Sequence, residues 1–127
     1  MNRLDEIRLE GLRARAFHGV FAEERSAGQW FVIDVTVRLP LRDAARGDAL
    51  ERTVHYGELA ESVVAAVESD PVDLIETVAE RVAALVLRHP AVVDTSVTVH
   101  KPSAPIAVPF TDVSVTVHRT RDGDGEA

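Results

Sequence analysis

Cysteine is absent from the 127 residues, so structural disulfides, thiolate metal sites and cysteine nucleophiles are excluded. Long apolar runs are absent too: the longest, Val82 to Leu87, is far too short to cross a bilayer. The chain has no long basic run and a net charge of −7, which argues against nucleic-acid binding. Its five histidines, His18, His55, His89, His100 and His118, form neither H-x-H, H-x-x-x-H nor HExxH, so no metal is expected. There is no Gly-rich phosphate loop, no G-x-S-x-G elbow and no repeat at a fixed period, and no cofactor is expected. The opening residues, Met1 to Glu6, are charged and lack the apolar stretch of a signal peptide. A cytoplasmic location is the expectation.

What is present is an ordinary globular balance, 46% apolar and 28% charged. A chain of this length buries roughly two thirds of its unfolded surface, enough for one core without staples. Residues 1–120 read as a single domain, and the Gly/Asp-rich stretch 121–127 reads as a disordered tail. The order of elements is strand, strand, helix, helix, strand, strand. Ile7 and Leu9 are in one phase and Leu12, Ala14 and Ala16 in the other, with the slip at Gly11, where a bulge is predicted. Phe31, Ile33, Val35, Val37 and Leu39 alternate cleanly up to Pro40. Two helical stripes follow, Leu59, Val63, Val64 and Val67, then Ile75, Val78, Val82, Leu85 and Val86, separated by Asp70-Pro71 and ended by His89-Pro90. A third strand is predicted from about Val92 to Lys101, and a fourth carries Val113, Val115 and Val117 on one face.

This order implies an α+β domain, a four-stranded antiparallel sheet with two helices on one face (ββααββ). The other face is polar, carrying Ser96, Thr98, His100, Ser114, Thr116 and His118. Such a sheet has two open edges, and closing several copies into a barrel-like ring with the polar face inside would remove them. A symmetric homo-oligomer is therefore expected.

The residues able to do chemistry lie at the ends of these elements, where a rigid scaffold presents polar groups. In Val97-Thr98-Val99-His100-Lys101-Pro102, the strand alternation carries Lys101 to the rim of an apolar face, just before a proline that ends pairing. Taken alone it reads as a snorkelling lysine; desolvated, it would suit acid–base work. Asp73-x-x-Glu76 fits a capping box with Asp73 as N-cap, whereas Glu76 at a helix start is also placed to grip the N–H donors of an amidine-like ring. Tyr56 reads as a half-buried aromatic at a helix start or as a proton donor, Glu23 and Glu24 as solvated loop charges or as site carboxylates, and His18 as a hydrogen-bonded turn histidine.

Taken together, the following segments resemble the dihydroneopterin aldolases, a folate-pathway family of the tunnelling fold, from about Glu6 to Val117. The resemblance rests on His18-Gly19 with Glu24, Gly28-Gln29 with Phe31 and Asp34, Thr53-Val54-His55-Tyr56, Leu74-Ile75-Glu76 with Ala79-Glu80, and Lys101-Pro102 with Pro105-Ile106. Ala16 and Ser114 stand where many relatives have glycine, and neither touches the polar set. The resemblance implies a lyase that cleaves 7,8-dihydroneopterin by a retro-aldol reaction, without metal or Schiff base. It implies that Glu76 anchors the pterin with the backbone at Ile75, that Lys101 is the principal acid–base residue, that Tyr56 contacts the reacting side chain and protonates the intermediate, and that Glu24 orders Lys101 and the substrate hydroxyls. It implies sites between the subunits of an octamer built from two four-membered rings. A 2′-epimerase, acting on dihydroneopterin or its triphosphate with Arg13, Arg15 and Arg25 as candidate phosphate partners, and a non-catalytic pterin-binding ring are the alternatives.

Overall fold

The alternation of Phe31, Ile33, Val35, Val37 and Leu39 drives the fold, because it gives one strand a wholly apolar face, and all five side chains are buried. In the computed structural model, which describes residues 4–121, that strand is β2 (Gln29–Leu39), flanked by β1 (Asp5–Ala16) and β3 (Asp94–His100), with β4 (Ser114–Thr120) beyond β3. The sheet is antiparallel throughout, in the order β1-β2-β3-β4. β1 and β4 are its open edges.

The predicted bulge is present. Leu9 pairs with Val35 and Leu12 with Ile33, so Glu10 and Gly11 together face the single residue Asp34. Gly11 takes φ +76°, a backbone region that glycine enters without the Cβ penalty, and its N–H donates to Asp34 Oδ1 at 2.8 Å.

Two helices cover the apolar face, α3 (Tyr56–Val67) over β1 and α4 (Ile75–Leu87) over β3 and β4. To keep the numbering in chain order, α1 is Ala22–Ala27 and α2 is Arg42–Gly47; a 3-10 turn spans Leu50–Arg52. The core joins Val63 and Val67 of α3 and Val78, Val82 and Val86 of α4 to the sheet valines and Phe31. Each such side chain contributes about 1.5–3 kcal/mol by leaving water.

Several expectations are corrected. Three short elements break the simple ββααββ order, because six-residue segments such as Ala22–Ala27 and Arg42–Gly47 are too short to show an apolar period. The third strand begins at Asp94 rather than about Val92 and ends at His100, and Val113 precedes β4. The capping box fails: the N-cap of α4 is Leu74, without a side-chain cap, and Asp73 instead binds the Arg25 guanidinium at 2.6 Å. Of the 121–127 tail, Arg121 donates to the carbonyls of Leu87 and His89 at 2.9 and 2.8 Å, and the remainder lies outside the described residues.

On the polar face, Ser96 bonds His118 and Thr98 bonds Thr116 across β3 and β4. At the Asp5 end of the sheet, Arg38 bridges Glu6 and Asp94 at 3.2 and 2.7 Å. No helix among the described residues is long and apolar enough to cross a membrane.

Candidate active site

Lys101 follows the last residue of β3, on the face that β3 turns to the core. Its ammonium group meets Glu24 Oε2 at 2.5 Å, with the two side chains only 11% and 8% exposed. A pair this poorly solvated holds only if its remaining lone pairs are used, and they are. Glu24 Oε1 accepts from the Phe21 N–H at 3.2 Å, so the N3 glutamate of α1 reaches back to its N-cap amide. Gln29 Nε2 donates to Glu24 Oε2 at 3.2 Å. Burial pushes the Glu24 carboxyl upward, but the hydrogen bonds from Lys101, Phe21 and Gln29 outweigh it and hold it below its ordinary 4.5. Glu24 is thus an anion in a buried setting, not the solvated loop charge that its Glu-Glu context favours.

The loop ahead of α1 is shaped to admit that carboxylate. A Cβ on Gly19 would lie 2.3 Å from Glu24 Cδ, so only glycine fits there. The Gly19 N–H donates to Val72 O at 2.9 Å, and Arg25 joins Gly19 O at 3.0 Å to Asp73. These bonds hold Val72 and Asp73, the residues just ahead of α4, against the segment that carries Glu24; Ile75 and Glu76 follow in the first turn of α4. Glu76 is exposed and makes no capping bond.

His18 stands behind this loop as a turn histidine. Its Nδ1 accepts from the Val72 N–H at 3.1 Å, and its Nε2 lies 2.6 Å from Val67 O, so the ring is neutral with the proton on Nε2. Burial holds its pKa below 6.5.

Tyr56 is elsewhere. It opens α3, is 62% exposed, and borders an open hollow of about 320 Å3 with Ile7, Leu41, Leu50 and Val54. Ile7 pairs with Val37, whereas His100, just before Lys101, pairs with Val32. At about 3.3 Å per residue the two places are of the order of 20 Å apart along the sheet. Tyr56 is therefore neither half-buried nor beside Lys101 within one chain. A larger hollow of about 650 Å3, between Leu50 and Pro90, also lies away from Lys101.

The structure thus pairs Lys101 with Glu24, ties Val72 and Asp73, just ahead of Ile75 and Glu76, to the loop and helix that carry Glu24, and leaves Tyr56 apart. It adds Gln29, whose Oε1 is buried without a partner. Gly28-Gln29 is among the segments of the resemblance without a role of its own, and the bond to Glu24 supplies one. Among the described residues no group of His, Asp or Glu side chains is arranged to hold a metal.

Comparison with known proteins identifies the family of the chain and supports its fold. The sequence model of the dihydroneopterin aldolase family matches residues 7–118. A dihydroneopterin aldolase from Streptomyces coelicolor is 53% identical over 118 residues, covering 93% of this chain and 99% of the relative. The crystal structure of the E. coli dihydroneopterin aldolase in complex with neopterin superposes with a TM-score of 0.82 at 30% identity, covering 91% of this chain and 98% of that one. A Burkholderia dihydroneopterin aldolase bound to guanine gives a TM-score of 0.75 at 27% identity over 94% and 93% of the two chains. The chain belongs to the dihydroneopterin aldolase family.

Proposed function

We propose that this protein cleaves 7,8-dihydroneopterin by a retro-aldol reaction to 6-hydroxymethyl-7,8-dihydropterin and glycolaldehyde. The observation that carries this reading is the desolvated Lys101–Glu24 pair, its segment bonded to the residues just ahead of α4, where Glu76 is exposed and has no capping duty. The substrate supplies its own electron sink, the ring C6=N5 imine. Removal of the 2′-hydroxyl proton lets the C1′–C2′ bond break, releasing glycolaldehyde, and the bonding electrons pass to N5, which is protonated. A proton delivered to C1′ of the resulting enol, with loss of the N5 proton to restore the C6=N5 imine, completes the product. These steps require positioning and general acid–base groups.

In this reading Glu76 holds the pterin N2 and N3 protons with the backbone at Ile75. Lys101 moves the protons at the side chain, and Glu24 orders Lys101 and the hydroxyls. Tyr56, a chain-end away from Lys101, serves the site of a neighbouring copy. Two observations support that division: the open edges β1 and β4, and the exposed Tyr56 at an apolar hollow. A homo-octamer of two stacked rings, its tunnel lined by the polar sheet face, satisfies both. Arg25 is engaged by Asp73, Arg15 by the Ala27 carbonyl at 2.9 Å and Arg13 by the Trp30 ring at 4.4 Å, which favours a substrate without phosphate.

The test is to incubate the purified oligomer with dihydroneopterin and quantify glycolaldehyde, hydroxymethyl-dihydropterin and the 2′-epimer separately. Tyr56→Phe is expected to keep the oligomer and most pterin affinity while glycolaldehyde release outpaces product formation. Epimer without net glycolaldehyde would replace the aldolase reading by the epimerase one. Both cleavage products at wild-type rates in the variant would remove Tyr56 from the proton transfer.

A further inference from the structure

Lys101 and the residue before it leave opposite faces of the sheet. His100 stands on the polar face between two carboxylates, its Nε2 2.7 Å from Asp34 Oδ2 on β2 and its Nδ1 2.7 Å from Asp112 Oδ2 just ahead of β4. A carboxylate accepts and does not donate, so both ring nitrogens must carry protons and the geometry is that of an imidazolium. Asp34 is itself fixed by the Gly11 N–H. Asp112, in contrast, belongs to the long connection 101–113 between β3 and β4. That connection leaves the sheet at Lys101, whose N–H donates to Val113 O at 2.8 Å. The His100–Asp112 bond therefore lies beside the rung that closes the loop, and the loop begins with Lys101.

We propose that His100, held as a cation between Asp34 and Asp112, is a positioning residue that fixes where the 101–113 loop leaves the sheet and so sets Lys101 against Glu24. The kinetic consequence rests on the aldolase reading; the ordering of the loop does not. The groups facing His100 are known from each element. β2 presents Asp34, the loop presents Asp112, and the pairing residue on β4 is the neutral Ser114. On β1, Arg13 is turned onto Trp30. Hydrogen bonding to Asp112 raises the imidazole above its ordinary 6.5, burial opposes this, and the bond to Asp34 adds to the rise. A group raised in the folded state stabilises fully below its unfolded value and loses that contribution as pH rises through the folded one. The clamp is accordingly complete in mildly acidic solution, where the carboxylates are still ionised, and opens as the solution becomes alkaline.

Two variants test it in the full-length oligomer. His100→Gln removes the charge, and Asp112→Asn leaves the histidine in place but removes one anion. In both, hydrogen exchange across 101–113 followed by mass spectrometry is expected to quicken roughly tenfold or more near neutral pH, the scale of one lost charge-assisted hydrogen bond. With dihydroneopterin, kcat is expected to fall while KM holds. In Asp112→Asn the alkaline fall of kcat is expected to begin at lower pH than in the wild type. Exchange at wild-type rates in both variants overturns the clamp, as does a loss of kcat that leaves the shape of the pH profile unaltered. If the wild-type protein cleaves no dihydroneopterin, the aldolase reading fails and the exchange comparison alone decides the clamp.

Discussion

The two ends of the sheet are built on different principles. At the Lys101 end charged side chains pair within the chain, Lys101 with Glu24, Arg25 with Asp73 and His100 with Asp34 and Asp112, while Glu76 stands exposed. At the Tyr56 end the exposed groups, Tyr56 and Leu50, border an apolar hollow and are about three-fifths exposed. The Lys101 end leaves apolar side chains open too, Val20, Phe21 and Leu74 among them. These ion pairs form without a neighbour, whereas apolar burial is left unfinished. A single chain therefore carries a preorganised acid–base pair and an unfinished wall, and it is the wall that calls for a second copy.

The strongest way to break this contrast is to remove the ordered end. Lys101→Ala is expected to lower turnover by at least about a hundredfold, the lower range for general acid–base groups, while light scattering still shows the oligomer. Lys101→Arg restoring turnover would make the residue a mere charge partner of Glu24. A complementation experiment sharpens the same point. Lys101→Ala and Tyr56→Phe chains, unfolded and reassembled together, should regain activity above either parent, because some sites then receive Lys101 and Tyr56 from intact halves. Failure of the mixture to exceed its parents would place both residues in one chain's site.

A smaller effect is expected at Glu76. Glu76→Gln should weaken pterin binding by roughly tenfold to a hundredfold, the scale of a charge-assisted hydrogen-bonded pair. Calorimetry reads the affinity, and urea unfolding should move by only about 0.5 kcal/mol, because the exposed side chain caps nothing. The smallest effect is on acid stability. Glu24 is held below 4.5, so its contribution is complete above that value and is lost as pH falls through the folded one. In Lys101→Ala, which lacks the main opposing hydrogen bond, the acid decline in the unfolding midpoint should start at higher pH.

What the sequence makes legible follows the range of the interactions. The apolar alternation of β2, the slip at Gly11 and the two helical stripes are local patterns, and they map onto the observed elements. The corrections come from contacts between distant segments. Asp73 has the spacing of an N-cap, but Arg25, 48 positions away, takes its carboxylate. Glu24 sits in a charged helix that reads as solvated until Lys101 is brought over it. Tyr56 has no fold-internal partner to be read from, and its exposure is visible only in three dimensions. The expectation that Lys101, Glu24, Ile75 and Glu76 form one site comes only from the resemblance of whole segments, since each piece alone fits a structural role.

The bulge in β1 has a meaning that burial does not supply. Delete Gly11, and Ile7, Leu9, Leu12, Ala14 and Ala16 fall into unbroken alternation, so a regular strand would serve the core equally well. What the extra residue adds is curvature, since a bulge sharpens the local twist and bends its strand. β1 is an edge, so that bend decides the direction in which its unpaired groups are offered to another sheet. In any closed ring, strand direction and the number of strands are tied together by geometry. A single inserted glycine, besides the bond by which it fixes Asp34, thus acts as an angle gauge for β1, and in a closed ring of copies it would help set how many complete the circle.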